Sequence, residues 1–591
     1  MKSSKTLVED YINKNDWRVN ESSSAPFSYG AMTKYFNTEV SKDYWLHYVY
    51  PEYITKEYVE GRMHIHDLGG LTLYCCGYSL QKIIQMGVTG IPVIPASTPA
   101  KHFDSILNQL ANLVTVFQNE IMGAVAFSSV DTLLSAFIKA DNLSYKEIKQ
   151  SLQNYIFSIN SNSRGGSEPA FSNITLDLVP PKDLAVQPAV VGGELMDFTY
   201  GDCQKEMDLF NKAFCEIMID GDANGRPFSY PIPTFNISKT FDWDNPNNDL
   251  LWEMAGKYGY PYFANFINSD MNPEDARSMC CRLRLDLTEL RKRNGGLFGS
   301  GDSTGSIGVV TINLPRIAYE HKGDKDGFYR ELDRVMDVAK DSLVIKREWV
   351  QKNVLDKGMI PAFQTYVGTL DNHFSTIGLV GGSQMCENFF GKGHDILTPE
   401  GKQMMIDVEN HMRDRLLYYQ QMTGSLFNLE ATPAESTCYK LAKKDKEIYP
   451  DIITAGTDDA PYYTNSCHIP VNKITSIKQV FDNQDDLQIL FTGGTVIHIF
   501  CNSAIPANIA KSIIKTVCTN YRVPYVSISP LNRYCPDHGY IEDDVDTCPI
   551  CGKKLDKYQR VTGYLRKVDN FNIGKKAEFN ERVQLDLKSG Y

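Results

Sequence analysis

Residues 535–565 read CPDHGYIEDDVDTCPICGKKLDKYQRVTGYL. Cys535 and His538 form one knuckle with two residues between them, and after nine residues Cys548 and Cys551 form a second. That spacing lets both side chains of each pair reach one tetrahedral ion while the intervening loop folds back. Gly539 and Gly552 follow the knuckles, where tight turns favour a residue without a Cβ. The four groups are therefore candidate Zn2+ ligands. With all four positions filled the ion is structural, the alternative being that water or another cysteine replaces His538. A nucleic-acid-binding ribbon is disfavoured by Glu542, Asp543 and Asp544 in its loop.

Upstream of this ribbon lies a long segment of ordinary globular composition. The chain has 591 residues, 42% hydrophobic and 22% charged, with a formal charge of −12. This balance excludes a protein built to coat nucleic acid and leaves room for a local phosphate pocket. The N-terminus does not read as a signal peptide, and no apolar run is long enough for a membrane span. The default reading is a soluble cytoplasmic protein, whose 14 cysteines are thiols and ligands rather than a disulfide framework.

Helical periodicity marks 103–140, 206–219, 327–349, 400–421 and 508–520, and short β-type runs mark 172–178, 306–314, 487–491 and 495–501. Mixed helices and strands over some 500 residues indicate one large α/β unit. The expected divisions are a core over 1–525, a zinc-ribbon segment over 526–556 and a C-terminal segment over 557–591.

By itself Gly563 in Arg560-Val-Thr-Gly-Tyr564 is a turn glycine. The Arg-Val-x-Gly-Tyr string near the C-terminus nevertheless resembles the radical-bearing loop of the glycyl-radical enzymes. Ser22–Ala31, Val40–Leu46, His64–Leu68, Gly225–Thr234, Gly308–Arg316 and Asn428–Glu435 are similar, in order, to segments of the anaerobic (class III) ribonucleoside-triphosphate reductases. A ribbon directly before the glycyl loop also belongs to that branch and not to the lyase-type relatives. Many members begin with a regulatory ATP cone. Here the family-like segments start almost at once, so dATP control through such a cone is not expected.

The resemblance implies a ten-stranded α/β barrel with a central finger loop, followed by the zinc ribbon and the glycyl-radical loop. It implies a radical on Gly563, installed by a radical-SAM activating protein with a 4Fe-4S cluster. Cys281, which precedes Arg282, takes the place of the finger-loop thiyl, with Cys280 as an alternative or additional thiol. Cys75, in preference to Cys76, takes the place of the cysteine on the opposite ribose face. Asn313 is expected to point into the barrel toward the ribose hydroxyls, and Glu435 is either a proton carrier or a helix-end or ion-pairing group.

Ala434, Ser436 and Thr437, with Gly493, Gly494 and Thr495, offer N–H groups and hydroxyls suited to a triphosphate. His64 and His66 resemble a metal pair, although a structural hydrogen-bonding role is preferred. The implied partners are ribonucleoside triphosphates, nucleoside triphosphate specificity effectors, and formate or a small dithiol protein as reductant. The assembly is a homodimer, without nucleic acid or membrane. The competing functions are another glycyl-radical enzyme, a carbon–carbon lyase or dehydratase, and a zinc-ribbon interaction protein with an inert barrel.

Overall fold

The computed structural model describes residues 3–15, 17–20, 27–92, 94–162, 168–271 and 303–588. Among the described residues the central sheet has eleven strands, ten of them in one continuous path and the eleventh, Met63–Ile65, paired antiparallel with Gly305–Asn313 off that path. The first five of the ten are β1 (Cys75–Gly77), β2 (Val125–Phe127), β3 (Ser172–Leu176), β4 (Ile232–Ile237) and β5 (Tyr262–Asn265). The others are β6 (Gly305–Asn313), β7 (His373–Val380), β8 (Phe427–Glu430), β9 (Ile497–Cys501) and β10 (Tyr525–Pro530).

β1 to β5 pair in sequence order, all parallel. β6, β7 and β8 are likewise parallel, as are β9 and β10. The two sets run in opposite directions, meeting at β1/β6 through Cys75 opposite Ser306 and at β5/β10 through Tyr525 opposite Ala264. The remaining gap, between β8 and the turn that leads into β9, is stitched by Gly493 N–H donating to Leu429 O at 2.6 Å and Ala431 N–H donating to Gly494 O at 2.8 Å. Leu429 N–H also donates to Thr492 Oγ1 at 2.9 Å. A ring of strands thus encloses a lumen, as the expected barrel requires.

Parallel neighbours need long crossovers, which the helices supply. Val130–Asp141 and Tyr145–Ile159 lie between β2 and β3, Lys325–Val350 between β6 and β7, Pro399–Thr423 between β7 and β8, and Ala507–Asn520 between β9 and β10. Their apolar faces and the outward residues of the strands make the main core, which includes Leu113, Phe117, Val125, Ile174, Val310 and Ile377. A smaller cluster of Cys75, Ala124, Ala126, Phe374 and Leu426 lies on the other face of the strands. Ala124 and Ala126 alternate with Val125 and Phe127 of the main core, which places the small cluster in the lumen.

Two sequence expectations are corrected. The periodic stretch 103–140 is two helices, Phe103–Gln118 and Val130–Asp141, divided by the three-residue strand β2. The apolar run 487–491 is not a strand: Leu487 and Gln488 end the helix Ile477–Gln488, and the chain then turns.

Beyond β10 comes a four-stranded antiparallel sheet of β11 (Asn532–Cys535), β12 (Gly539–Ile541), β13 (Asp556–Arg560) and β14 (Leu565–Lys567). β11 pairs with both β12 and β13, and β13 and β14 form a hairpin whose turn is 561–564. The ribbon and the glycyl turn are therefore parts of one sheet, where the sequence suggested a division near 557. The other expected division, at 526, falls inside β10. No helix among the described residues is long and apolar enough to cross a membrane.

Candidate active site

Gly563 is buried in the β13–β14 turn. Its carbonyl accepts from the Tyr262 hydroxyl and from Arg560 Nη1, the latter at 2.9 Å. Arg560 also donates through Nη2 to Gly259 O and Tyr260 O, and its guanidinium lies 4.1 Å from the Tyr262 ring centroid. Val561 N–H closes the turn on Tyr564 O at 3.1 Å. From the C-terminal side, Arg582 donates to Arg560 O at 2.8 Å and Val561 O at 3.2 Å, and is paired with Glu578 at 2.7 Å. Lys575 pairs with the same carboxylate at 2.5 Å. The turn is thus gripped by buried cations on both sides.

The four predicted metal ligands come together, with their ligand atoms all within 4.8 Å of one another. Cys535 Sγ lies 3.7 Å from Cys551 Sγ and 3.5 Å from His538 Nδ1, and Cys548 Sγ lies 3.5 Å from the same nitrogen. A tetrahedral ion with Zn–S bonds of ~2.3 Å requires sulfur–sulfur edges of ~3.8 Å. The set therefore fits a zinc-sized ion, with Cys535 and Cys548 buried and Cys551 exposed. Gly539 and Gly552 take φ of +76° and +71°, the left-handed turns expected after each knuckle.

Strand alternation separates the adjacent cysteines. Cys75 joins the lumen cluster, while Cys76 packs into the main core beneath the helices. Burial pushes the Cys76 thiol far above its ordinary range. Phe171 packs against the Cys75 cluster, and its ring meets Tyr564 edge-on at 5.9 Å. One aromatic side chain therefore links the neighbourhood of Cys75 to the residue after Gly563. Tyr564 Oη donates to Glu435 Oε2 at 2.9 Å, and Asn572 Nδ2 donates to Glu435 O at 3.2 Å, so Glu435 belongs to the same site. Cys280 and Cys281 lie outside the described residues.

Asn313 has a different task from the one expected. It caps the helix Leu314–Glu320, and its amide nitrogen donates to Gly61 O and to Asp445 Oδ2, both at 2.8 Å. Both amide hydrogens are thus used within the protein. An amide that sequence reasoning passed over is better placed. Asn428 pairs with Thr376 across β7/β8 and shares the lumen face of Leu426. It is 1% exposed, and neither its oxygen nor its nitrogen has a hydrogen-bond partner among the described residues. A buried carboxamide in that condition costs free energy unless something else satisfies it. Asn428 opens a segment noticed in the sequence, but only the register reveals its direction.

The two proposed phosphate turns differ. Gly493 and Gly494 are engaged in closing the barrel, and the Thr495 hydroxyl donates to Gln488 Oε1. Ala434 is fully buried against Val380 and Tyr463. Ser436 instead sits at the N-terminus of the helix Thr437–Ile448 and lines a cleft of about 350 Å3 with Glu435, Lys440, Lys34, Lys42 and Arg18. His64 and His66 line it too. Lys440 Nζ donates to His64 Nδ1 at 3.1 Å, and His66 Nε2 lies 2.8 Å from Thr311 Oγ1. Burial, then the Lys440 cation, depresses both imidazoles, His66 to about 3. They are neutral hydrogen-bonding groups.

A ten-stranded ring of two antiparallel halves, with a thiol in its lumen and a buried glycine turn at its mouth, is the fold of the ribonucleotide reductases. An anaerobic ribonucleotide reductase from Thermotoga maritima, solved with dATP bound in the specificity site, superposes with a TM-score of 0.76 at 20% identity, covering 96% of this chain and 95% of that one. The family model of anaerobic ribonucleoside-triphosphate reductase matches residues 21–585, and the chain belongs to that family, a family of oxidoreductases. Curated relatives of that name include the Haemophilus influenzae protein, 24% identical over 589 residues, with 92% of this chain and 80% of the relative covered. The phage T4 protein is 23% identical over 647 residues and covers 99% and 98%.

Two expectations follow. The protein should carry one metal ion per chain by elemental analysis. Cys548→Ser should lose it and, because β11 and β13 share a sheet, cut the yield of glycine-centred radical by tenfold or more. The second concerns pH. Burial alone would raise the Glu578 carboxyl, but the Lys575 and Arg582 cations outweigh it and hold the carboxyl below its usual range. A carboxyl depressed on folding contributes stability that is full above its unfolded value, about 4.3, and lost as pH falls through the folded one. The protection of the amides at 561–564, relative to their intrinsic exchange at each pH, should therefore fall below about pH 4. Glu578→Gln should remove that dependence and cost about 3 kcal/mol at pH 7, by leaving buried cations unpaired.

Proposed function

We propose that Gly563, Cys281 and Cys75 divide the reduction of ribonucleoside triphosphates to 2′-deoxyribonucleoside triphosphates between them. The observation that carries this reading is that Cys75, and not Cys76, faces the lumen in the cluster that Phe171 joins to Tyr564. An activating radical-SAM protein with a 4Fe-4S cluster removes one Cα hydrogen from Gly563. Only glycine permits a planar radical conjugated with both flanking peptides. The held carbonyl of Gly563 keeps that centre fixed and dry.

The Gly563 radical takes the hydrogen of the Cys281 thiol, and the resulting thiyl takes the 3′-hydrogen of the ribose. With a radical at C3′ the 2′-hydroxyl leaves as water after receiving a proton, and Cys75 supplies hydrogen from the opposite face. The thiyl site then returns a hydrogen to C3′. The two electrons are restored by formate or a small dithiol protein. Glu435 is suited to relay the proton, being in the site and tied to Tyr564. Asn428 supplies the free amide for the ribose hydroxyls.

The triphosphate takes the cleft at Ser436, where a helix N-terminus and Lys440 favour anions. Zn2+ at Cys535, His538, Cys548 and Cys551 is a structural ion that sets the sheet carrying Gly563. The dATP reported in the specificity site of the Thermotoga structure supports nucleotide effectors for this chain too. The assembly is taken to be a homodimer.

Anaerobic activation, followed by EPR and by measurement of deoxynucleotide formed from CTP with each reductant, tests the scheme. Gly563→Ala should show no stored radical. Cys281→Ser should keep the radical and fall at least a thousandfold in turnover, because an alcohol O–H is too strong for a glycyl radical to cleave. Cys75→Ser should consume radical on substrate addition without completing product, while Cys76→Ser retains turnover. A fully active Cys281→Ser enzyme overturns the mechanism.

A further inference from the structure

The lumen wall carries a second buried carboxamide that the proposed reaction does not use. Asn173 lies on β3, where Ile174 and Leu176 turn outward into the main core. Its ladder partner on β2 is Ala126, a member of the lumen cluster, and residues paired across neighbouring strands share a face. Asn173 therefore points into the lumen. It is 8% exposed, and its Oδ1 has no hydrogen-bond partner among the described residues. The flanking ladder residues, Ala126 and Ile232, have no side-chain donor to offer. A buried carbonyl oxygen in that condition costs free energy until a donor reaches it.

Register fixes the depth of this amide. Phe171, whose ring meets Tyr564 beside the glycine turn, stands two residues before Asn173, so β3 runs inward from the mouth. β8 runs the other way. Its Leu426 end belongs to the lumen cluster, Asn428 is two residues further on, and Glu435 beyond them bonds Tyr564. Cys75 and Leu426 are members of that one cluster, and Phe171 packs against it. At ~3.3 Å per residue, Asn428 stands roughly 7 Å from the level of Cys75 on the mouth side, and Asn173 roughly 7 Å from it on the inner side. The two amides straddle the thiol.

A nucleotide seated in this lumen is laid out along the same line. The Ser436 cleft opens at the mouth, where Glu435 lines it and holds Tyr564. In a ribonucleotide the carbon that carries the phosphates through C5′ and the carbon that carries the base flank the ring oxygen. Phosphates at the mouth and a ribose beside Cys75 therefore direct the base inward, toward Asn173. We propose that Asn173 is a specificity-determining residue that hydrogen-bonds the edge of the substrate base. The inference rests on the proposed seating of the triphosphate in the Ser436 cleft and of the ribose beside Cys75. A carboxamide has an acceptor and two donors. By turning over, it meets the amino group of cytosine or adenine with Oδ1, and the carbonyl of uracil or guanine with Nδ2. One residue thus serves bases of both kinds.

The test is a competition in the full-length, metal-loaded, activated enzyme, with CTP and UTP supplied together and both deoxynucleotides measured. Asn173→Asp, whose carboxylate only accepts, should at about pH 8 raise the ratio of CTP to UTP reduced by about tenfold, because the uracil carbonyl then faces an acceptor. Equilibrium dialysis with the unactivated protein supplies the second measurement. Asn173→Ala should bind CTP and UTP about tenfold more weakly. Ribose 5-triphosphate, which has no base, should bind wild type and Asn173→Ala alike, a result that a misfolded variant would not give. An unchanged product ratio in Asn173→Asp overturns the proposal, and so does an equal loss of CTP and ribose 5-triphosphate binding in Asn173→Ala. If Asn173→Asp does not fold, Asn173→Ala decides alone. Lys440→Met, in the cleft, should weaken CTP and ribose 5-triphosphate together. Unchanged binding of both by Lys440→Met would instead overturn the seating of the triphosphate, whatever the Asn173 variants do.

Discussion

The guanidinium of Arg560 donates to the carbonyls of Gly259, Tyr260 and Gly563 while lying over the ring of Tyr262. Arg560 is 3% exposed. Such a cation is stable in the interior only when fixed dipoles and a π face replace its water. Those dipoles come from two places, the segment leading into β5 and the turn after β13, so the same interaction that satisfies the charge fastens the glycine turn to the barrel mouth. Arg582 repeats the device from the other side and brings its own carboxylate, Glu578. The position of Gly563 is thus set by electrostatics in a dry setting and not by the turn's own preferences.

This dependence gives the metal cluster its meaning. β11 leaves the barrel at Asn532 and ends at Cys535, and β13 pairs with β11 and ends at Arg560. An ion that fixes Cys535 therefore fixes the register from which Arg560 and the turn are presented. The lumen obeys a similar economy. Small residues at 124 and 126 leave space beside Cys75.

The parts of this arrangement that were legible in the sequence are those set by local chemistry. The knuckle spacing of Cys535, His538, Cys548 and Cys551 is a property of two short turns, and the glycines after them have the φ values that such turns need. The long helices were visible through their periodicity, since each buries one face on the sheet. What the sequence hid depends on distant partners or on short elements. β2 has three residues, too few to interrupt the helical pattern of 103–140. Asn313 reads as an inward amide until Asp445, 132 residues away, takes its hydrogen. The choice between Cys75 and Cys76 requires knowing which face of β1 the helices cover. The ribbon and the glycyl segment looked separable because the pairing of β11 with β13 skips over β12.

The partners that hold the glycine turn are far apart along the chain. Arg560 reaches Gly259 across 301 residues, and Tyr262 reaches Gly563 across the same number. The cations that clamp the turn from behind, Lys575 and Arg582, are among the last residues described. During synthesis from the N-terminus the barrel strands are therefore complete before the turn exists, and the turn is unsupported from behind until Lys575 and Arg582 have been made. A truncated product carries the thiol of Cys75 but no seated glycine. Under the role proposed for Gly563, the order of the chain withholds a seated glycine from any product that stops before Arg582.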